Sequence, residues 1–140
     1  MGARRVGRER ALQALYQLEM SPTSVHNALE AAWSASAEEG QPDPEARRFA
    51  AELAEGVDAN LAEIDHLIQE HSHNWRLDRM SRIDRNIIRL AIFELRYRAD
   101  IPRKVSINEA VELGKNFGTE ESSAFVNGLL DRVAVALGKP

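Results

Sequence analysis

Four arginines stand within the first ten residues, at positions 4, 5, 8 and 10, in a chain whose formal net charge is -4. On a helical wheel Arg4, Arg5 and Arg8 lie within about a quarter turn of one another, with Tyr16 on the flank next to Arg5. Guanidinium groups fork onto phosphate oxygens, and a tyrosine ring offers a plane for an unpaired base. Arginines at a helix N-terminus also oppose the helix dipole, which suggests a use elsewhere. The pattern favours single-stranded RNA over duplex DNA, and the alternative is a merely solubilising basic start.

Other reactive chemistry is weakly represented. The sequence contains no cysteine, which excludes disulfides, thiolate metal sites and a cysteine nucleophile. The one cluster of metal-binding residue types is His66, Glu70, His71 and His73, whose spacing is more typical of a solvated helix end than of a metal site. Nucleotide-binding glycine patterns and nucleophile motifs are absent from the sequence. We therefore expect neither an enzyme nor a bound metal or cofactor.

Helices are the elements that must position these residues, because apolar side chains recur at three- and four-residue spacing and no strand pattern competes. Proline, glycine and capping residues mark the ends of the segments. The sequence predicts helices over residues 4–20 and about 24–38, a long or broken helix over 44–71 with Gly56 as a weak point, a helix between Asp78 and Arg98, a helix that a capping box at 106–109 starts and Gly118 ends, and a last helix after Thr119 that runs to about Leu137.

The 140 residues fit one domain, with helical subdomains expected at about 1–74 and 75–140. The one linker-like stretch, EEGQPDP, closes on Asp43 and Pro44, which have the pattern of a helix start. Trp33 and Trp75 are expected to be packing anchors, the second at the joint between the two subdomains. No apolar segment follows the N-terminal arginines as in a signal peptide, and no run is long enough to cross a bilayer, so we expect a cytoplasmic protein without membrane contact.

Charge is distributed unevenly along the chain. Residues 24–70 hold eleven acids against two bases, whereas residues 75–104 hold nine bases against four acids. Several arginines of the predicted central helix share one side, and the pair Arg85 and Arg89 would repel if it were unpartnered. Either the acidic first half supplies carboxylates to these arginines inside the fold, or an acidic partner meets them. Glu94 is the predicted internal partner of an arginine.

Three long blocks, RR..RERALQALYQ, NW.LDRMSRIDRNIIRLAIFEL and DIPRKVSINEAVELGKNFGTEESSAFVNGLLDRVA, resemble the NusB family of bacterial transcription antitermination factors. The resemblance spans nearly the whole chain. It implies an all-α fold of two small helical bundles packed side by side, with about six to seven helices.

The resemblance also implies a function without catalysis. NusB-like proteins pair with NusE, a small-subunit ribosomal protein, and the pair binds the single-stranded boxA element of ribosomal RNA leader transcripts. This binding anchors an antitermination complex on RNA polymerase. Two alternatives stay open: a helical protein–protein adaptor, or a homodimer in which the RNA surface is occluded. A further one, the NusB-like domain of a ribosomal RNA methyltransferase, is disfavoured because no glycine-rich cofactor domain follows.

Site residues follow from the resemblance position by position. The predicted RNA contacts are Arg4, Arg5, Arg8, Arg10, Tyr16, Glu121 and Phe125. The predicted NusE contacts are Asp84, Arg85 and Arg89. Val6 and Gly7 interrupt the arginines where relatives have a denser basic run, and glycine weakens a helix by about 1 kcal/mol relative to alanine. We therefore expect the N-terminus to be disordered until RNA binds.

Overall fold

The computed structural model describes residues 2–36, 43–72 and 76–140. These residues form seven α-helices and one short 3₁₀ helix over Leu77–Arg79, and they contain no strand, so the predicted all-α fold class is confirmed. The helices are α1 Ala3–Met20, α2 Val25–Ala35, α3 Pro44–Ala59, α4 Leu61–His71, α5 Arg82–Tyr97, α6 Arg103–Phe117 and α7 Ser122–Leu137.

The first compact unit, residues 1–59, contains α1, α2 and α3. α1 packs against both other helices, and small buried residues such as Ala11, Ala14 and Ala50 allow the close approach of α1 and α3. Ser24 caps α2 by accepting a hydrogen bond from the Asn27 amide at 3.0 Å. The stretch that the sequence assigned to the end of the second helix and to the linker, residues 37–42, lies outside the described residues.

The second compact unit, residues 60–140, is organised around α5. Every residue from Asn86 to Leu95 is buried, because α4, α6 and α7 all pack against this helix. Ser81 caps its start by accepting from the Asp84 amide at 3.1 Å. The predicted end of the seventh helix at Leu137 agrees with the structure, where Gly138 takes a left-handed φ of 65° that suits glycine.

The two units divide between Ala59 and Asn60, earlier than the expected division at about residue 74. The predicted long helix is broken, as the sequence allowed, but the break falls at Asn60 rather than at Gly56. α4 belongs to the second unit because it packs against α5 and α7. The expected role of Trp75 at the joint concerns a residue outside the described part of the chain.

The start of α6 differs from the prediction. The helix begins at Arg103, with Pro102 as its N-cap, so Ser106 lies inside it and the predicted capping box is wrong. Ser106 is 1% exposed and donates a hydrogen bond to Glu94 Oε1 at 2.8 Å. Proline suits the start of a helix because the backbone N–H that it lacks would have no partner within the helix. The hydroxyl of Ser106 instead satisfies the buried Glu94 carboxylate, which is a tertiary role and not a capping role.

Candidate nucleic-acid interface

The N-terminal end of α1 concentrates positive charge on the first unit. Its first turn contains no acidic residue, and its N-cap residue supplies no side-chain hydrogen bond. Arg4 and Arg5 are exposed and Tyr16 is half-buried, whereas Arg8 and Arg10 are only 4% and 8% exposed. The positive end of the helix dipole adds to these charges. α1 therefore presents two accessible guanidinium groups close to two that are packed into the unit.

The ring of Phe49, on α3, receives two of these arginines. The guanidinium carbon of Arg4 lies 5.3 Å from the ring centroid, and that of Arg8 lies 5.2 Å from it. Both distances are within the range of cation–π contacts, in which a cation is attracted to the electron-rich ring face. Phe49 itself is buried, with 5% of its surface exposed. The two guanidinium groups thus contact the same buried ring.

Gly7 explains how α1 and α3 come so close. A Cβ at this position would stand 3.0 Å from Phe49 Cδ2 and 3.1 Å from the Ala46 carbonyl oxygen, so α3 would have to shift by a few tenths of an ångström to admit it. The expectation of a disordered N-terminus is wrong for this structure, because α1 is helical from Ala3. The packing of α1 on α3 outweighs the low helix propensity of glycine.

Arg10 connects α1 to α2. Its guanidinium carbon lies 5.8 Å from the centroid of the Trp33 ring, and its Nε donates to Ser36 Oγ at 3.1 Å. Its Nη1 also donates to Gln13 Oε1 at 3.3 Å. Arg47 shares the same ring at 5.2 Å. Trp33 is 7% exposed, which confirms the prediction that it is a packing anchor.

A second cluster of predicted site residues lies on the second unit. Asp84, Glu121 and Phe125 line one cleft of about 240 Å³, so the structure brings together residues that the sequence had assigned to two different partners. The other lining residues are Arg79, Met80, Ser81 and Thr119. Sequence reasoning did not assign Arg79 or Thr119 to a site. Their place in the cleft depends on the packing of α5 against α7, which the sequence does not show.

The carboxylate of Asp84 is incompletely satisfied. Its Oδ1 is buried, and no hydrogen-bond donor reaches that atom among the residues that the structure describes. A buried acceptor without a partner costs free energy, which a donor from a bound molecule would recover. The cleft therefore combines an aromatic side chain, an exposed arginine and an acceptor that lacks a donor.

Arg89 forms a partly buried ion pair inside the second unit. Its Nε and Nη2 donate to the two carboxylate oxygens of Asp65 at 2.8 and 2.9 Å, and its Nη1 donates to Asn86 Oδ1 at 3.1 Å. Arg89 is 8% exposed. Of the two alternatives left open for the central arginines, the internal one applies to Arg89, because Asp65 belongs to the acidic first half of the chain. Arg89 is also a predicted NusE contact, and in this structure its guanidinium group binds Asp65 on α4.

Arg85 and Arg96 are likewise engaged by their own unit. Arg85 Nη1 donates to the Leu77 and Met80 carbonyl oxygens, at 3.1 and 3.0 Å, and so holds the 3₁₀ turn against α5. Arg96 Nε donates to Glu63 Oε1 at 2.9 Å. Asp84, the third predicted NusE contact, has its side chain in the lining of the cleft on this unit.

Glu63 collects two hydrogen bonds on α4. The Tyr97 hydroxyl donates to Glu63 Oε2 at 2.8 Å, and Arg96 donates to its other oxygen. The hydrogen bond from Tyr97, followed by that from Arg96, holds the pKa of the Glu63 carboxyl below its ordinary value. The same carboxylate raises the pKa of the Arg96 guanidinium. Each oxygen of this exposed carboxylate thus accepts a hydrogen bond from α5.

The histidine cluster shows no metal-binding arrangement in the described residues. His66 Nε2 lies 2.6 Å from Glu70 Oε1 across one helical turn, and His71 Nδ1 lies 2.8 Å from the Leu67 carbonyl oxygen. His73 lies outside the described residues. Among the residues that are described, no three side chains of metal-binding type converge.

Residues 5–135 match the model of the NusB family. The chain belongs to the NusB family. The transcription antitermination protein NusB of Myxococcus xanthus (strain DK1622) is 75% identical over 140 residues, which cover 100% of each chain. NusB-family membership makes this chain a transcription antitermination factor, and the family is not one of enzymes.

Solved structures of the NusB family share the fold. NusB of T. maritima superposes with a TM-score of 0.85 at 38% identity, over 96% of this chain and 92% of that one. A crystal structure of the antitermination factors NusB and NusE in complex with double-stranded RNA gives a TM-score of 0.86 at 24% identity, over 97% of this chain and 98% of that one.

Within the described residues, no helix combines the length and the apolar character that crossing a membrane requires.

Proposed function

We propose that this NusB-family chain binds a boxA-type single-stranded RNA of ribosomal RNA leader transcripts together with NusE, and so anchors an antitermination complex on RNA polymerase. The observation that carries the proposal is the cationic end of α1, where Arg4 and Arg5 are exposed beside the positive end of a helix dipole. The solved complex of NusB and NusE with double-stranded RNA supports binding of RNA and NusE in general. The activity belongs to the cytoplasm, where bacterial transcripts are made.

On the first unit, Arg4 and Arg5 bind phosphates, because their side chains are accessible. Arg8 and Arg10 are part of the same proposed interface. As buried cations they contribute chiefly through their electric field and by fixing α1 on its neighbours. Tyr16, half-buried on the same helix, offers its ring to an unpaired base for stacking.

On the second unit, the cleft supplies the proposed base contacts. Phe125 is half-buried at its wall and can stack on a base. Glu121 is exposed there and can accept a hydrogen bond from an exocyclic amino group. Stacking and edge recognition both require a base that is not paired, which is why a single strand is favoured over a duplex.

NusE is proposed to meet the start of α5. Asp84 is the central contact, because its Oδ1 needs a donor that the described part of the chain does not supply. Arg85 and Arg89 belong to this surface as predicted contacts, and their hydrogen bonds to the 3₁₀ turn and to α4 also fix the helix that presents Asp84. RNA and NusE held together by one protein raise each other's effective concentration.

The test is fluorescence anisotropy with a labelled boxA-type single strand, titrated with the chain alone and with purified NusE at several salt concentrations. Arg5→Glu is compared with Arg48→Glu, because Arg48 is exposed on α3 and gives the same change in net charge within the same unit. Each phosphate contact that is lost should lower the salt dependence of log K by about 0.7 for a single strand.

Tight binding that NusE strengthens, that Arg5→Glu weakens and that Arg48→Glu leaves intact is the expected result. Equal losses in the two variants would mean that net charge, not the end of α1, governs binding. A duplex of the same sequence that binds better than the single strand would overturn the single-strand assignment. If the wild type fails to bind RNA even with NusE, the adaptor or occluded homodimer replaces the proposal, and sedimentation analysis distinguishes those two.

A further inference from the structure

Phe49 is the residue on which the cationic end of α1 rests, although it carries no charge and lies on another helix. Its ring has the Arg4 guanidinium at 5.3 Å and the Arg8 guanidinium at 5.2 Å. Arg4 and Arg8 are one helical turn apart, so two like charges that would otherwise repel are both attracted to one aromatic ring. A free arginine side chain samples many rotamers, and a fixed ring face removes most of that freedom before a ligand arrives.

The Phe49 ring is fixed by its surroundings, so it can restrict the two arginine side chains. Phe49 is 5% exposed, and its α3 neighbours Ala46 and Ala50 are 1% and 0% exposed against α1. Gly7 is located between the two arginines, and a Cβ there would stand 3.0 Å from Phe49 Cδ2. The missing side chain at position 7 therefore leaves room for the ring beneath the first turns of α1.

We propose that Phe49 is a positioning residue of the RNA interface: its ring orients the Arg4 guanidinium for phosphate before RNA binds and holds the Arg8 guanidinium near it, in a space that Gly7 leaves open. The inference rests on the proposed RNA binding by α1. Arg4, the exposed member, delivers its N–H groups to phosphate. Arg8, the buried member, adds positive charge at the same ring.

The experiment compares Phe49→Leu and Phe49→Met, which fill most of the same space without a ring, with Phe49→Tyr, which keeps the ring. Leu53→Ala is the matched control, because Leu53 is 0% exposed on the same face of α3. Arg4→Gln removes the guanidinium group and so tests the proposed contact between Arg4 and phosphate. Each variant is titrated into the labelled boxA-type strand at several salt concentrations, below its melting temperature as measured by circular dichroism.

Phe49→Leu and Phe49→Met are expected to raise Kd about fivefold, which corresponds to about 1 kcal/mol at 1.4 kcal/mol per tenfold. They should also lower the salt dependence of log K, since a misplaced guanidinium neutralises phosphate less completely. Phe49→Tyr should restore both quantities, and Phe49→Leu should have a smaller effect in an Arg4→Gln background because the two residues act as a unit. A purely structural phenylalanine would not change the salt dependence.

The outcomes separate the two proposals. If Arg4→Gln weakens binding while folded Phe49→Leu and Phe49→Met bind like the wild type, the positioning role is overturned and RNA binding by α1 stands. Leu53→Ala could instead raise Kd and lower the salt dependence of log K as much as Phe49→Leu does. General loosening of the unit would then explain both effects, and the positioning role would again be overturned. If the wild type does not bind RNA at all, both proposals are overturned together.

Discussion

Replacing Asp65 with asparagine tests whether Arg89 is primarily an internal residue. The Arg89 side chain is 9% exposed and the Asp65 side chain 22%, and the two charges meet through two hydrogen bonds of 2.8 and 2.9 Å. Breaking a fully buried ion pair costs about 3–5 kcal/mol, whereas an exposed pair contributes about 0.2–1 kcal/mol. Asp65 lies between these limits, so Asp65→Asn should lower the free energy of unfolding by about 2 kcal/mol.

A matched control exists on the same two helices. Arg96 and Glu63 also join α5 to α4 at 2.9 Å, but their side chains are 48% and 45% exposed. Glu63→Gln makes the same chemical change at a solvent-exposed site, so it should lower the free energy of unfolding much less than Asp65→Asn does. Urea unfolding followed by circular dichroism, at unchanged m-values, measures both losses. Equal losses in the two variants would refute the argument, because burial would then not determine what the Asp65 carboxylate contributes.

Three further predictions concern the second unit. Ser106→Ala removes a 2.8 Å hydrogen bond from the buried Glu94 carboxylate and should cost about 2 kcal/mol in urea unfolding. Tyr97→Phe should raise the Glu63 pKa toward its ordinary value in an NMR titration of the carboxyl carbon. Because the folded pKa is the lower one, the stability from Glu63 is present above the unfolded pKa and is lost as pH falls through the folded pKa. In Tyr97→Phe that loss should be smaller and should be complete at a higher pH. Ser81→Ala removes the cap of α5 and should lower the melting temperature, at a cost of about 1 kcal/mol.

The helices themselves were largely predictable because their signals are local. Apolar spacing, Ser24 before α2, Pro44 at the start of α3 and Gly118 after α6 all act within a few residues of where they stand. The failures came where a residue had a distant partner. Ser106 looks like a cap in sequence, but it lies inside α6 because the buried Glu94 carboxylate, twelve positions away, accepts its hydrogen bond.

The site was predictable in part for the same reason. Clustered charge at Arg4, Arg5 and Arg8 is visible in ten letters of sequence, and the family resemblance added Glu121 and Phe125. No spacing rule shows which of these side chains are accessible. Burial of Arg8 and Arg10 depends on the aromatic rings of other helices, and the shared cleft of the second unit depends on how α5 meets α7.

The sequence by itself determined the all-α class, most helix limits and the crowding of positive charge at one end of α1, since periodicity, caps and composition are properties of neighbouring residues. The tertiary structure alone decided the partners: Arg89 with Asp65, 24 residues apart, and Arg4 and Arg8 with the ring of Phe49. A side chain meets such a partner only after two helices have packed. Which helices pack depends on the summed burial of the whole chain and not on any local pattern.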